Sequence, residues 1–293
     1  LQADPTYAGA YLQLGALYES LGDTAQALRA YGDGVEALPN NPDLRFRLGQ
    51  AYRRNGQPAK AVEQLERVQA IVAENPRYWQ AQLALGMLYE DGSQMVQALE
   101  QYSRTVQLAP YSPEAQFRLA QAYRKGGQPN QALAAFETLL AMPGGANYPG
   151  AFVQMGMAYE ALNQPDRAEE LYRQALAAEP TLAASFFQLG ELYRRQGKLD
   201  DAISNFEQAL TLTPTYTEAR LQLGLAYQSA GQPDKAQEII DDILAGSEST
   251  AQAKAQAHIQ LGNLAKAQGD TDTASAQFQA AQQADPSAVA AYL

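Results

Sequence analysis

Small and apolar residues recur along the chain in a fixed order, and the recurrence sets the elements. Gly15, Gly49, Gly86, Gly156, Gly190, Gly224 and Gly262, with Ala120 in the one gap, stand 34, 37, 34, 36, 34, 34 and 38 residues apart. This is eight copies of one unit. A long apolar residue precedes each small one (Leu14, Leu48, Leu85, Leu119, Met155, Leu189, Leu223, Leu261). Three residues after it stands Tyr18, Tyr52, Tyr89, Tyr123, Tyr159, Tyr193 or Tyr227, with Ala265 in the last unit. Twelve residues after it stands Ala in all eight units: Ala27, Ala61, Ala98, Ala132, Ala168, Ala202, Ala236 and Ala274.

Between the two small columns lies a helix breaker, Gly22, Gly56, Ser93, Gly127, Asn163, Gly197, Gly231 or Gly269, often followed by Gln-Pro. Gly closes a helix and Pro suits the first turn of the next, so each unit is two helices. The paired small columns are expected to let the two backbones cross closely. Around that crossing a bulky column fills the space: Tyr31, Leu65, Tyr102, Phe136, Tyr172, Phe206, Ile240 and Phe278. Each such side chain contributes about 1.5–3 kcal/mol when buried, and only stacked neighbours can bury them all.

This pattern resembles the tetratricopeptide repeat family over about residues 8 to 286. The resemblance implies an all-α fold, a right-handed α-α superhelix of about eight helix-turn-helix repeats. Its first helices would line a groove and its second helices the outer wall. One continuous array over 1–293 is expected, with repeats at 8–41, 42–78, 79–112, 113–148, 149–182, 183–216, 217–254 and 255–288, and partial repeats at 1–7 and 289–293. Pro39, Pro110, Pro180, Pro214 and Pro286 close repeats as the family does, whereas Ala73, Gly144 and Glu248 stand there in the three long units. At the first of these joints Ile71 and Val72 continue a helical spacing, predicting a lengthened helix. Met142–Pro149 and Gly246–Ser249 read as loops, and curvature is expected to change at all three joints. Leu1–Pro5 resembles the tail of an earlier second helix, and Val289–Leu293 the start of a first helix with Tyr292 entering the core column. Neither end carries a polar cap, which suggests a piece of a longer array or end faces that dock, head to tail.

Residues three before, one after, four after and five after each small residue are expected to face the groove. The first of these columns is apolar throughout: Leu12, Phe46, Leu83, Phe117, Val153, Phe187, Leu221 and Ile259. In the next, Ala16, Met87, Met157 and Leu225 alternate with Gln50, Gln121, Glu191 and Asn263. In the third, Glu19, Arg53, Glu90, Arg124, Glu160 and Arg194 alternate in sign before Gln228 and Lys266, a superperiod of two units. A ladder of ion pairs between neighbouring first helices, about 8–10 Å apart, is one reading of that alternation. After such pairing Arg47, Arg54, Arg118, Lys125 and Arg195 remain, against Asp91. A positive strip beside apolar contacts suits a peptide with carboxylates and large apolar anchors.

Overall charge and chemistry narrow the reading. The net charge of -11 disfavours a general nucleic-acid binder, although it leaves room for a local basic strip. There is no Cys and one His, so thiolate chemistry and His- or Cys-based metal sites are not expected. His258 shares a column with Tyr11, Phe152 and Phe186 and reads as a packing residue. Neither a membrane-spanning apolar run nor a signal-peptide pattern occurs, direct membrane insertion is not expected, and no compartment is legible. Phosphate-loop, dinucleotide, zinc-protease and EF-hand spacings are absent, and no cofactor is expected. The Lys and Asn with which some family members clamp a chaperone's C-terminal carboxylate are matched here by Leu12, Ala16, Phe46 and Gln50, so that clamp does not carry over.

The expectation is therefore a non-enzymatic scaffold that binds a protein or peptide segment. Arg47, Arg53, Arg54, Arg118, Arg124, Lys125, Arg194 and Arg195 would supply charge, and Phe46, Phe117, Phe187, Met87 and Met157 apolar contact. The alternatives are an assembly module that self-associates through its end faces, and an array serving a domain elsewhere in a larger protein.

Overall fold

The helix breakers take up the backbone conformation that the sequence demands of them. In a computed structural model describing residues 7–73, 75–246 and 249–289, all eight have positive φ, between 57° at Asn163 and 82° at Gly269. Six are Gly, for which the left-handed region carries no Cβ penalty; Ser93 and Asn163 bear that strain. Among the described residues the secondary structure is helical and contains no strand. The chain divides into two compact units, Leu1–Asn147 and Tyr148–Leu293.

The first unit holds four helix pairs: α1 (Ala8–Ser20) with α2 (Thr24–Ala37), α3 (Pro42–Arg54) with α4 (Pro58–Val72), α5 (Trp79–Asp91) with α6 (Met95–Leu108), and α7 (Pro113–Lys125) with α8 (Pro129–Ala141). The second holds α9 (Pro149–Ala161) with α10 (Pro165–Ala178), α11 (Ala183–Arg195) with α12 (Leu199–Leu212), α13 (Thr217–Ser229) with α14 (Pro233–Ala245), α15 (Ala251–Ala267) with α16 (Thr271–Ala284), then the short α17 (Pro286–Val289). Starts are set by Pro in the first turn of α3, α4, α7, α8, α9, α10 and α14. Capping side chains set others: Asp23 accepts from the Gln26 N–H at 3.0 Å and Asp270 from the Thr273 N–H at 3.0 Å, and Asn41 adds a cap to α3.

Within each pair the Ala column is buried, and so is the bulky column except Phe278, which is half-buried in the last repeat. Five of the seven column glycines accommodate a ring rather than the partner backbone that the sequence suggested; Gly49 meets Leu65 and the Ala61 carbonyl, and Gly224 meets Gln260 and Ile240. A Cβ on Gly15 would lie 2.2 Å from the Tyr31 ring, and one on Gly86 would lie 2.6 Å from the Tyr102 ring. The Tyr column ties neighbouring repeats together. The hydroxyls of Tyr89 and Tyr193 donate to Glu66 (2.6 Å) and Glu169 (2.8 Å) on the second helix of the preceding repeat.

Two of the long joints take the predicted form. α4 runs through Val72 for 15 residues, Ala73 turns out at φ 23°, and a 3₁₀ turn at Pro76–Tyr78 leads into α5. Met142–Tyr148 separates α8 from α9 around a 3₁₀ turn at Gly145–Asn147. At the third joint Gly246 ends α14 and Thr250 caps α15. Glu248, Tyr292 and Leu1–Pro5 lie outside the described residues.

Candidate functional site

A helix turns about 100° per residue, so the places on a first helix sort into flanks. With the small residue turned to its own second helix, the place one after it lies at the centre of the open face. Places three before and four after fall on one flank, and places two before and five after on the other. The ion pairs follow this division. Glu19 pairs with Arg54, Glu90 with Lys125 and Glu160 with Arg195, each 35 residues on.

This corrects the sequence reading of the ladder. Arg54, Lys125 and Arg195, expected to be left over, are the cations that pair. The reason is geometric: a helix meets the following repeat with one flank and the preceding repeat with the other, so partners occupy adjacent columns. The expected ladder cations go elsewhere. Arg53 Nη1 lies 3.9 Å from Met87 Sδ, and Arg194 Nε lies 3.2 Å from Glu191 on its own helix, while Arg124 is half-buried.

Two of these glutamates also accept from their own second helix. Tyr102 donates to Glu90 Oε2 at 2.7 Å, and Tyr172 donates to Glu160. Tyr31 sits beside Glu19, and burial followed by the Glu19 charge pushes its hydroxyl above the usual range. Burial alone would raise the Glu90 carboxyl, but hydrogen bonds from Lys125 and Tyr102, with the charges of Lys125 and Arg118, hold it below the ordinary value. Burial, then Glu90, drives Tyr102 strongly upward. The sequence carries the signal in its bulky column, where Tyr31, Tyr102 and Tyr172 alternate with Leu65, Phe136 and Phe206 in phase with the glutamates.

The apolar column is more committed to packing than expected. Leu83, Val153, Leu221 and Ile259 are buried. Phe117 packs edge-on against Phe136 with centroids 5.9 Å apart. Phe187 lies 5.9 Å from Phe206 and 5.0 Å from Tyr216. All three phenylalanines, Phe46 included, are half-buried, and Met87 and Met157 are half-buried against the cores of their own units.

One open hollow on this face, of about 410 Å³, lies in the first unit and is lined by Leu12, Gln13, Ala16, Asp43, Phe46, Arg47, Arg77 and Tyr78. Asp43 accepts from the Tyr78 hydroxyl at 3.0 Å and meets Arg77 at 3.4 Å, so its charge is matched. Sequence columns could not find this cluster, because Arg77 lies in the extra residues of the long second repeat. Arg47 is exposed, with no ion pair among the described residues; Arg118, its counterpart two repeats on, is half-buried near Glu90. A larger hollow, about 660 Å³, lies between α4 and α6. It is lined mainly by second-helix residues, and the unpaired Oε1 of Gln82 at its edge is sealed from solvent. His258 Nδ1 lies 2.7 Å from Gln277 Oε1, a packed arrangement. Among the described residues no group of three His, Cys, Asp or Glu could hold a metal, and no helix is long and apolar enough to cross a membrane.

Stacked helix pairs whose small residues mostly face a buried ring, with a patterned open face in each unit, define a helical-repeat protein. The chain belongs to the tetratricopeptide repeat family. One model of that repeat matches residues 20–85, 91–148 and 193–259, more than half of the chain; a second matches 65–113 and 153–217, and a third 255–287. A search of curated proteins found no match. Among solved structures the chain is similar to MamA, at 25% identity over 60% of this chain and 93% of that one, TM-score 0.55. It is similar to YrrB, described as a TPR protein with an unusual peptide-binding site, at 20% identity over 63% and 92%, TM-score 0.56. Human IFIT1, solved as a dimer with m7Gppp-AAAA, shares 21% identity over 93% of this chain and 67% of its own, TM-score 0.63. The last two likenesses establish the fold alone.

Proposed function

We propose that the chain is a non-enzymatic interaction scaffold that takes a partner's peptide segment on the open face of its first helices. Proteins of this family are generally protein-interaction scaffolds. The observation that carries the reading is the first unit's face, where an apolar floor at Leu12 and Phe46 is bordered by Arg47, Arg53 and Arg54, while the carboxylates beside it are already matched, Glu19 by Arg54 and Asp43 by Arg77. On a chain of net charge -11 this local surplus favours a segment with carboxylates beside apolar side chains. In the second unit Met157, Phe187, Arg194 and Arg195 offer the same residue types, with both cations already engaged.

The test is crosslinking capture from source cells followed by mass spectrometry, with wild type and an Arg47→Glu/Arg53→Glu variant. Both residues are exposed, so the variant folds, and helical circular dichroism checks this. The reading requires a discrete partner that the variant loses; equal capture by both proteins contradicts it. The basic strip also offers a phosphate backbone something to bind, and capture of RNA in place of protein would transfer the face to that ligand.

A second reading rests on a different observation. The place two after the small residue is buried in seven repeats, from Ala51 and Leu88 to Leu264, yet Leu17 is 54% exposed and Leu21 beside it is 69% exposed. That end of α1 would suit self-association. Sedimentation of Leu17→Glu/Leu21→Glu beside wild type decides it: dissociation of an oligomer supports the reading, and a wild-type monomer at all concentrations ends it.

A further inference from the structure

The hollow between α1 and α3 exists where the pattern of the open face is broken. At the central place, one after the small residue, the third, fifth and seventh repeats carry Met87, Met157 and Leu225, all half-buried. The first repeat carries Ala16, which is exposed and lines the hollow together with Leu12 and Phe46. A methyl group thus stands where the other odd repeats carry a long apolar side chain. The hollow, about 410 Å³ and open on one side, has room for one bulky side chain. One edge is closed by Asp43 with Arg77 and Tyr78, which leaves Arg47 as the rim charge without an ion partner among the described residues.

We infer that this hollow is an anchor pocket for one bulky apolar side chain, aromatic or long aliphatic, of an extended partner segment that carries a carboxylate within reach of Arg47. The inference rests on the proposed peptide-binding face and names its specificity-determining residue, Ala16. Leu12, Ala16 and Phe46 remove the anchor from water, while Arg47 selects the acidic neighbour. Asp43, neutralised by Arg77, does not oppose it. The hollow lies in the first two repeats; the third carries the half-buried Met87 at the corresponding place.

The test selects peptides from a random phage-displayed library on wild-type protein and measures the winners by fluorescence anisotropy against three variants. Ala16→Met installs the residue that the third and fifth repeats already carry at this place, so folding is preserved. Arg47→Glu reverses the rim charge, and Arg118→Glu alters the face two repeats away. The expected winners share a bulky apolar residue near Asp or Glu. They lose at least about tenfold in affinity with Ala16→Met and with Arg47→Glu, the effect of excluding one apolar anchor or repelling one carboxylate. Winners that ignore Ala16→Met but weaken with Arg118→Glu would overturn the pocket and leave the peptide-binding face standing. Winners that ignore all three variants, or a library that yields none, would overturn the face itself and the pocket with it.

Discussion

Removing one hydroxyl tests whether the Glu–Tyr–cation hubs hold successive repeats together. In Tyr102→Phe the buried ring stays in place, as Phe136 and Phe206 do in even repeats, and only the bond to Glu90 at 2.7 Å is lost. A hydrogen bond to a charged acceptor contributes about 1.5–3 kcal/mol. Glu90 keeps Lys125 and the nearby Arg118, so a loss of about 1–2 kcal/mol is expected. The ion pair adds less: the Lys125 side chain is 46% exposed, and solvent screening limits such pairs to about 0.2–1 kcal/mol. Glu90→Gln and the double variant complete a cycle whose coupling should be about 1 kcal/mol. Because repeat arrays need not unfold in two states, hydrogen exchange in α5, α6 and α7 is the proper readout beside urea melting.

The same hub has a pH signature. Since the folded Glu90 carboxyl lies below its unfolded value, its contribution is present above the unfolded pKa, about 4.3, and disappears as pH falls through the folded one. Glu90→Gln should therefore flatten the acid limb of the stability curve. Zero coupling, or an unchanged acid limb, would refute the hub as a structural tie.

Two further perturbations probe the core and the turns. Gly190→Val places a Cβ 2.6 Å from the Phe206 ring, which is fully buried, and should cost about 1–3 kcal/mol in a thermal or urea melt; an unchanged melt would show that the ring has room to move. Ser93→Gly relieves a left-handed residue at φ 59° and should stabilise by about 0.5–1 kcal/mol, more than Asn163→Gly, because Asn tolerates this region better.

What could be read from the sequence was whatever repeats eight times. The Gly, Ala, Tyr and breaker columns predicted helix pairs, and each breaker has the conformation its place required. Less legible was anything set by which flank of a helix meets which neighbour. The repeat columns displayed the alternation of Glu19, Arg53 and Glu90, but the partner of Glu19 is Arg54, one residue and about 100° away. Similarly, Leu83 and Val153 looked like groove residues, yet stacking of adjacent first helices buries them. Asp43, Arg77 and Tyr78 meet across a joint that the repeat register does not describe.

The central claim, that the open face of α1 and α3 receives a partner, is tested most directly by placing a photoreactive phenylalanine analogue at Phe46 and irradiating source cells. A second protein carries the analogue at Val96, which is 81% exposed on the second helix α6. The expected result is a discrete crosslink from Phe46, mapped to a partner segment with acidic and bulky apolar residues, and none of it from Val96. Identical crosslinks from both positions, or none from Phe46, would contradict the claim.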